Sequence, residues 1–275
     1  MRVIVHLSDL HFGRVDARLV TPLVQRVQSL NPDLVAISGD FTQRARRGQF
    51  LQAKAFLEAL PFRKFLVPGN HDVPLFNVTS RLLNPFGGYR RYISEDLEPA
   101  FVDQEIAIVG LNSARALATE GRGRLNETQV RRAADRLRPL PADLIKIVVT
   151  HHPFDLPDGF QKHNLVGRAA MAMAELARVG ADLFLAGHLH VSHIGHTTER
   201  YKIEGHSALI VQAGTMSTRG RGELNTFNVL RLAKPEVSIE RHTWDVDHES
   251  FTQSWQGMFR HTPDGWVPAE STQRT

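Results

Sequence analysis

The sequence contains no cysteine, which excludes disulfide bonds and thiolate metal sites. It has no apolar run near the roughly 20 residues that a membrane-spanning helix needs. It also has no large excess of one charge, since 33 Lys and Arg oppose 29 Asp and Glu. The net charge of +4 is more typical of a solvated surface than of a nucleic-acid groove. We therefore expect a cytoplasmic protein without a membrane span, and a partner other than nucleic acid.

Size and composition predict one large domain. With 275 residues, of which 42% are hydrophobic, the chain can bury a full core. The first residues, Met-Arg-Val-Ile-Val-His-Leu, enter a strand pattern directly and lack the layout of a signal peptide. We assign residues 1–261 to a single domain. We expect residues 262–275, which are polar and aperiodic, to form a flexible C-terminal tail.

Strand-like and helix-like segments alternate along the first two thirds of the chain, which favours an α/β fold with parallel strands and crossover helices. The predicted strands are 3–7, 34–37, 65–67, 106–111, 145–150 and 183–186, followed by 209–211, 227–232 and 237–242. The predicted helices are 17–30, 49–60, 126–138 and 171–179. The late run of strands predicts a second sheet packed on the first.

Residues that can bind metal ions follow five of the predicted strands, each at the end where its strand stops. They are Asp9 and His11, Asp40, Asn70 and His71, His151, and His188 and His190. Ligands of open α/β sheets gather outside the carboxyl ends of the strands. We therefore expect these side chains to converge at one edge of the fold.

The residue types define the chemistry of this edge. Carboxylates, imidazoles and an amide suit borderline ions such as Mn, Fe, Zn or Co. Two such ions about 4 Å apart can hold the attacking and leaving oxygens of a phosphoryl transfer. That spacing needs a bridging carboxylate, and Asp40, which stands alone in its motif, is the candidate. Gly39, Gly69 and Gly187 permit the sharp turns beside these residues.

The whole set of motifs resembles a known family. The set is Asp9-Leu10-His11, Gly39-Asp40, Gly69-Asn70-His71-Asp72, His151 and Gly187-His188-Leu189-His190. It resembles the calcineurin-like metallophosphoesterase superfamily and, within it, the bacterial class III cyclic-nucleotide phosphodiesterases. The resemblance implies a metallo-dependent phosphatase-like fold, a four-layer αββα sandwich of two mixed sheets flanked by helices, with residues 1–261 as one metallophosphoesterase domain.

The resemblance also implies a role for each motif residue. The first metal ion would be held by Asp9, His11, Asp40 and His190. The second would be held by Asp40, Asn70, His151 and His188. His71 would contact the phosphate and protonate the leaving oxygen, with Asp72 nearby as a second catalytic residue. The implied reaction is in-line attack on phosphorus by a hydroxide held between the two cations.

The substrate stays open at this point. A 3′,5′-cyclic nucleotide of the cAMP type is the first expectation. Glycerophosphodiesters, lipid head groups and phosphomonoesters are the alternatives, and a nuclease is less favoured because only 85 residues follow His190. A non-catalytic scaffold is disfavoured because no metal ligand is missing. The sequence does not decide whether the chain forms a homodimer.

Several residues near the motifs have undecided roles. His152 is either a partner of a ligand or a turn residue. Eight arginines lie in loops where they could meet an anionic substrate, although a solvated loop is the more common role. They are Arg44, Arg46, Arg47, Arg115, Arg122, Arg124, Arg219 and Arg221. Substrate specificity is expected to lie in the loops at 73–98, 112–124 and 154–164.

Overall fold

A computed structural model describes residues 1–117, 121–203 and 205–269, and across these residues the chain forms two mixed β-sheets. The first sheet contains β1 (Arg2–Leu7), β2 (Leu34–Ser38), β3 (Arg63–Val67), β10 (Thr226–Ala233), β11 (Glu236–Asp245), β12 (Ser250–Thr262) and β13 (Gly265–Ala269), in the order β13-β12-β11-β10-β1-β2-β3. The second contains β4 (Ala100–Val102), β5 (Ile106–Gly110), β6 (Ile145–Val149), β7 (Leu183–Ala186), β8 (His193–His196) and β9 (Leu209–Gln212), in the order β4-β5-β6-β7-β9-β8.

Helices cover the outer face of each sheet. They are α1 (Ala17–Leu30), α2 (Arg47–Glu58), α3 (Val78–Leu83), α4 (Gly87–Tyr92), α5 (Glu127–Leu137), α6 (Ala169–Ala177) and α7 (Thr197–Arg200). Asp16 caps the N-terminus of α1, since its side chain accepts a hydrogen bond from the amide of Arg18, and Asn31 follows the helix in the left-handed conformation.

The core is divided into layers by the alternation of side chains along each strand. In β1, Ile4 belongs to the buried cluster between the two sheets, whereas Val5 belongs to the cluster under α1 and α2. In the second sheet, Ile147 faces the space between the sheets, and Val148 packs with residues of α5 and α6. The predicted four-layer αββα sandwich is therefore confirmed.

Parallel pairing places the ends of the site-bearing strands together. β1, β2 and β3 are parallel neighbours, and so are β5, β6, β7 and β9. The carboxyl ends of β1, β2, β3, β6 and β7 carry the predicted ligands, as the sequence pattern indicates. The late strands differ from expectation, because β10 to β13 extend the first sheet beside β1, whereas β8 and β9 join the second.

The predicted flexible tail is wrong for its first part. β13 pairs with β12 in antiparallel register, and Trp266 is buried between the sheets. The indole Nε1 of Trp266 donates a hydrogen bond to Asp182 Oδ1 at 2.8 Å, which anchors this strand to the second sheet. The remainder of the predicted tail, residues 270–275, lies outside the described residues, and the single-domain assignment stays a prediction. No described helix has both the length and the apolar character to span a membrane.

Candidate metal centre

Tight turns at the carboxyl ends of the strands bring the predicted ligands together. Five of these ligands have a positive φ, between 47° and 74°, which side-chain-bearing residues rarely adopt. They are Asp9, His11, Asp40, His188 and His190. Backbone held in this region costs of order 1–3 kcal/mol per residue and is concentrated at functional sites. The loops therefore place these side chains at an energetic cost that surrounding structure offsets.

One cluster of ligand atoms forms around Asp9. Its Oδ1 lies 3.4 Å from Nε2 of His11 and 3.2 Å from Nε2 of His190. The two histidine nitrogens are 3.0 Å apart, and His11 Nε2 is 3.6 Å from Oδ2 of Asp40. Four ligand atoms from the loops after β1, β2 and β7 thus face one point.

A second cluster forms on the other side of Asp40. Oδ2 of Asp40 lies 3.4 Å from Nε2 of His151, and the same His151 nitrogen lies 3.0 Å from Oδ1 of Asn70. His188 Nδ1 is 3.1 Å from the same Asn70 oxygen and 3.3 Å from His151 Nε2. The same carboxylate oxygen of Asp40 therefore faces both clusters, as a bridging ligand must.

The donor atoms fit two metal ions. Ligands about 2.1 Å from a common ion lie roughly 3.0–3.4 Å from each other at octahedral or tetrahedral angles, close to the spacings within each cluster. Asp9 Oδ1 is buried and has no hydrogen-bond donor within the described residues. An oxygen in that state is costly unless a cation binds it. The facing nitrogens of His11 and His190 can likewise share a cation.

Hydrogen bonds behind the ligands set their orientation. Nδ1 of His151 donates to the carbonyl of Ser38 at 2.8 Å, and Nδ1 of His190 donates to the carbonyl of Arg219 at 3.0 Å. When neutral, both rings therefore carry their proton on Nδ1 and turn Nε2 to the centre. Asp9 Oδ2 accepts from Ser8 Oγ at 2.7 Å, which leaves Oδ1 for a metal.

The electrostatics of the centre favour positive charge. Burial raises the pKa of Asp40, but His151 and His71 outweigh it and bring the pKa below its usual range. Burial lowers the pKa of His151, but Asp40 and then Asp9 reverse this and raise it to about 9. The buried carboxylates therefore attract a proton onto a neighbouring ring. Metal cations meet the same demand with more charge.

His71 lies at the mouth of the centre, with its backbone and its ring each held by a hydrogen bond. Its backbone N–H donates to Asp40 Oδ1 at 2.8 Å, and its Nδ1 donates to the Gln43 carbonyl at 2.8 Å. Nε2 is left to face the cavity, 3.1 Å from Nη1 of Arg219. Burial, supported by His11 and Arg219, lowers the pKa of His71. With Nδ1–H donated to Gln43 and Nη1 of Arg219 donating to Nε2, the ring is neutral here, and Nε2 is the nitrogen that can take up a proton.

Asp72 is placed differently from what the sequence suggests. Its carboxylate is buried and accepts hydrogen bonds from the amides of Gly69 and Thr42, each at 2.9 Å, and of Phe41 at 3.3 Å. Burial and the nearby Asp40 raise the pKa of Asp72 to about 7. It ties the loop after β2 to the loop after β3 and does not line the cavity. This geometry favours a positioning role over direct catalysis.

Of the two roles predicted for His152, the structure favours that of a partner to a predicted metal ligand. Its Nε2 donates to the carbonyl of Gly121 at 2.7 Å, and its Nδ1 accepts from Ser113 Oγ at 2.8 Å. Its ring lies 4.4 Å from that of His188. Burial, then the neighbouring His151, lower the pKa of His152 to about 3, so it stays neutral. His152 therefore packs a ligand ring and holds the loop at Gly121.

A cavity of about 540 Å³ opens over the metal centre and is strongly basic. Its lining includes the arginines Arg44, Arg81, Arg115, Arg219 and Arg221. Four of these are among the arginines whose roles the sequence leaves open. Arg81 was missed, because it lies in an irregular segment whose position depends on tertiary contacts. The other four undecided arginines, Arg46, Arg47, Arg122 and Arg124, do not line this cavity.

The fold and this centre define a class, the metal-dependent hydrolases of phosphoric esters. The sequence profile of the calcineurin-like phosphoesterases matches residues 2–192. The chain belongs to that family, as the motifs predict. It is similar to a protein of Arcobacter nitrofigilis described as a probable glycerophosphodiester phosphodiesterase, GpdQ, with 23% identity over 94% of this chain and 96% of the relative.

Solved structures share the fold at low identity. A dimetal phosphatase from Danio rerio has a TM-score of 0.65 and 13% identity, over 92% of this chain and 98% of that one. The purple acid phosphatase PPD1 from yellow lupin (Lupinus luteus) seeds has a TM-score of 0.66 and 12% identity, over 93% of this chain and 53% of that one. These likenesses support the architecture of the metallo-dependent phosphatases.

Proposed function

We propose that the protein is a dinuclear-metal phosphodiesterase that hydrolyses glycerophosphodiesters. The observation that carries the proposal is the shared Asp40 Oδ2, which faces two ligand clusters beneath an arginine-lined cavity. The substrate class is supported by the relative from Arcobacter nitrofigilis, which is similar along nearly its whole length. Asp9, His11, Asp40 and His190 would hold one ion, and Asp40, Asn70, His151 and His188 the other.

The metal ions would supply an activated water and neutralise charge that develops on the phosphate. The identity of the two ions, among Mn, Fe, Zn and Co, is not settled by ligands of this kind. The described residues supply binding and proton transfer. Arg219, whose Nη1 lies beside His71, and Arg44, which lines the same cavity, would hold the non-bridging oxygens of the phosphate.

His71 would act as the general acid. A water oxygen forms a new bond to phosphorus while the bond from phosphorus to the leaving ester oxygen breaks. Nε2 of His71, aimed into the cavity, would take up a proton when the bound phosphate draws Arg219 away, and would donate it to that oxygen so that it leaves as an alcohol. The proton released by the attacking water would then restore the ring. The products are a phosphomonoester and an alcohol. The Gln43 carbonyl holds the other ring proton and so fixes which nitrogen takes part.

A 3′,5′-cyclic nucleotide stays a competing prediction. Nucleobases bind well on aromatic rings, each stack contributing about 1–3 kcal/mol. No Phe, Tyr or Trp of the described residues lines the cavity. This composition favours a substrate without a base, and it ranks glycerophosphodiesters ahead of cyclic nucleotides.

A substrate panel tests the proposal. The protein would be assayed with Mn²⁺ on glycerophosphoethanolamine, glycerophosphoglycerol, cyclic AMP, bis(p-nitrophenyl) phosphate and glycerol 3-phosphate. We expect the largest kcat/KM among the natural compounds for a glycerophosphodiester. A larger value for cyclic AMP would overturn the substrate class and keep the chemistry. Hydrolysis of the monoester alone would overturn the phosphodiesterase assignment.

A further inference from the structure

A group of exposed apolar side chains lies beside the mouth of the basic cavity. We call it the apolar rim, and it consists of Leu75, Phe76, Val78, Leu82, Leu83 and Leu117. Phe76 is 74% exposed, Leu83 81% and Leu117 73%. Isolated exposed leucines are ordinary on protein surfaces, but a cluster near a site marks an interaction surface.

The rim is joined to the cavity by residues that belong to both. Leu75 lines the cavity and belongs to the rim, and Arg81 of α3 also lines the cavity. Nε of Arg81 donates to the carbonyl of Ala116, which brings the loop carrying Leu117 against α3. A ligand seated over the metal centre can therefore extend directly onto apolar surface.

The apolar residues of α3 do not serve the core. No residue of Val78–Leu83 is buried, and the sequence Val-Thr-Ser-Arg-Leu-Leu places Val78 and Leu82 one helical turn apart. A six-residue helix has little stability of its own. Because Val78, Leu82 and Leu83 are exposed, their side chains do not stabilise α3 by burial. Nothing within the described residues buries them, so they are available to a bound ligand.

Charge indicates the chemistry of that occupant. Five arginines line the cavity, and Asp40 is the one carboxylate among its described lining residues. An anionic head group is complementary to this lining. A symmetric contact between two copies through the rim would bring two such basic cavities together, which costs electrostatic energy. The occupant that satisfies both features is an anionic amphiphile.

We propose that the apolar rim binds the acyl chain of the substrate, so that the enzyme acts on acylated glycerophosphodiesters of the lysophospholipid type. The head-group phosphate then lies in the arginine-lined cavity, and the chain lies across Phe76, Leu82 and Leu83. This inference rests on the proposed phosphodiesterase function and deepens it, because it assigns the group attached to the glycerol.

Paired substrates test the inference. The kcat/KM of the Mn²⁺-loaded enzyme would be compared for lysophosphatidylglycerol and for glycerophosphoglycerol, which have the same head group and differ in the acyl chain. We expect an advantage of about 10-fold or more for the acylated compound, through KM, because burying part of one chain is worth that much. Equal values for the two compounds would overturn the inference.

A rim variant and a matched control locate the effect. Phe76→Ser/Leu83→Ser should remove most of the acyl advantage and leave the kcat/KM on bis(p-nitrophenyl) phosphate unchanged. The control is Val102→Ser in β4, which is 47% exposed and pairs with Ala107 near the start of β5, away from the site. An equal loss of the acyl advantage in Val102→Ser would contradict the inference. So would a wild-type dimer that the rim variant dissociates, because a second copy would then cover the rim.

Inhibition separates this inference from the proposed function. Dodecylphosphonate and methylphosphonate carry the same anionic group and cannot be hydrolysed as phosphodiesters. Against bis(p-nitrophenyl) phosphate, the dodecyl compound should have a Ki about 10-fold lower or more, and the rim variant should abolish that difference. This result would hold even if glycerophosphodiesters were not substrates. Equal Ki values would contradict acyl-chain binding at the apolar rim and would leave the proposed metal centre unaffected.

Discussion

Asp40 accepts the backbone N–H of His71 through Oδ1 at 2.8 Å, and this contact turns its other oxygen to the metal centre. Oδ2 then lies 3.6 Å from Nε2 of His11 and 3.4 Å from Nε2 of His151. One carboxylate therefore joins the two ligand clusters and also positions the backbone of the proposed general acid. Removing it should affect metal binding and catalysis together.

We predict that Asp40→Asn lowers the metal content from two ions to one or fewer per chain. The activity should fall by at least about 100-fold, because substituting even a residue that hydrogen-bonds to a metal ligand lowers metal affinity or activity by 10–100-fold. Elemental analysis after dialysis, together with kcat/KM on bis(p-nitrophenyl) phosphate, measures both. Asp247→Asn, at an exposed carboxylate of the β11–β12 turn, is the control. Two ions retained in Asp40→Asn would refute the bridging role.

We predict that the effect of His71→Gln depends on the leaving group. A general acid contributes typically 10²–10⁴-fold when the leaving oxygen needs a proton. Hydrolysis of a glycerophosphodiester should therefore fall by about that factor. Hydrolysis of bis(p-nitrophenyl) phosphate, whose leaving group needs no proton, should fall much less. Equal losses on the two substrates would show that His71 binds phosphate without donating a proton.

The convergence of these side chains could be predicted from sequence because it depends on local features. Each ligand directly follows a short apolar strand, and parallel strands bring their carboxyl ends to one edge. The tertiary structure adds what spacing does not contain. The carboxylate of Asp72 turns away from the cavity toward the Thr42 amide, although Asp72 neighbours His71 in sequence.

The strands near the C-terminus illustrate the opposite case. β12 is mostly exposed along Thr252–Gln256 and has no alternation strong enough to read as a strand. β13 depends on the insertion of Trp266 between the sheets and on its hydrogen bond to Asp182, 84 residues away. Pairing of that kind is a long-range contact, and a local pattern cannot indicate it.

We predict that His152→Gln weakens metal binding by about 10–100-fold without abolishing it, because His152 supports the ring of His188 and is not among the proposed ligands. Ser113→Ala, which removes the donor to His152 Nδ1, should cause a smaller shift in the same direction. Calorimetric titration of the metal-free protein with Mn²⁺ measures both. His248→Gln, at an exposed histidine, is the control. Complete loss of one ion in His152→Gln would indicate direct ligation.

The loop after β6 provides a prediction about stability and pH. Burial raises the pKa of Asp155, but hydrogen bonds from His193 and Arg200 outweigh it and hold the pKa below its ordinary 3.8. Its oxygens lie 3.1 Å from His193 Nε2 and 2.6 Å from Arg200 Nε. Because the folded-state pKa is lower than the unfolded one, the carboxylate stabilises the fold above pH about 4, and this contribution is lost as pH falls below that value.

We therefore predict that Asp155→Asn lowers the free energy of unfolding by about 2 kcal/mol at pH 7. The difference from wild type should shrink at pH 3, below the ordinary pKa of aspartate, because proton uptake by the unfolded wild-type chain then offsets part of the stabilisation. Urea unfolding of the metal-free proteins at both pH values measures this. Asp158→Asn, in an exposed part of the same loop, should have no comparable effect. A deficit of equal size at pH 3 and pH 7 would contradict the ionic contribution.

We predict opposite outcomes for two Gly→Ala substitutions. A Cβ at Gly69 would overlap Oδ1 and the backbone nitrogen of Asp40, so Gly69→Ala should displace this carboxylate, the proposed bridging ligand. A Cβ at Gly48, in α2, meets nothing within 4 Å, and alanine there should stabilise the helix by about 0.5–1 kcal/mol. Metal content, kcat/KM and thermal unfolding would be measured for both. Gly69→Ala should lose metal and activity, whereas Gly48→Ala should keep both with an unchanged or raised Tm. Full metal content in Gly69→Ala would show that the Asp40 loop can shift without losing its ligand geometry.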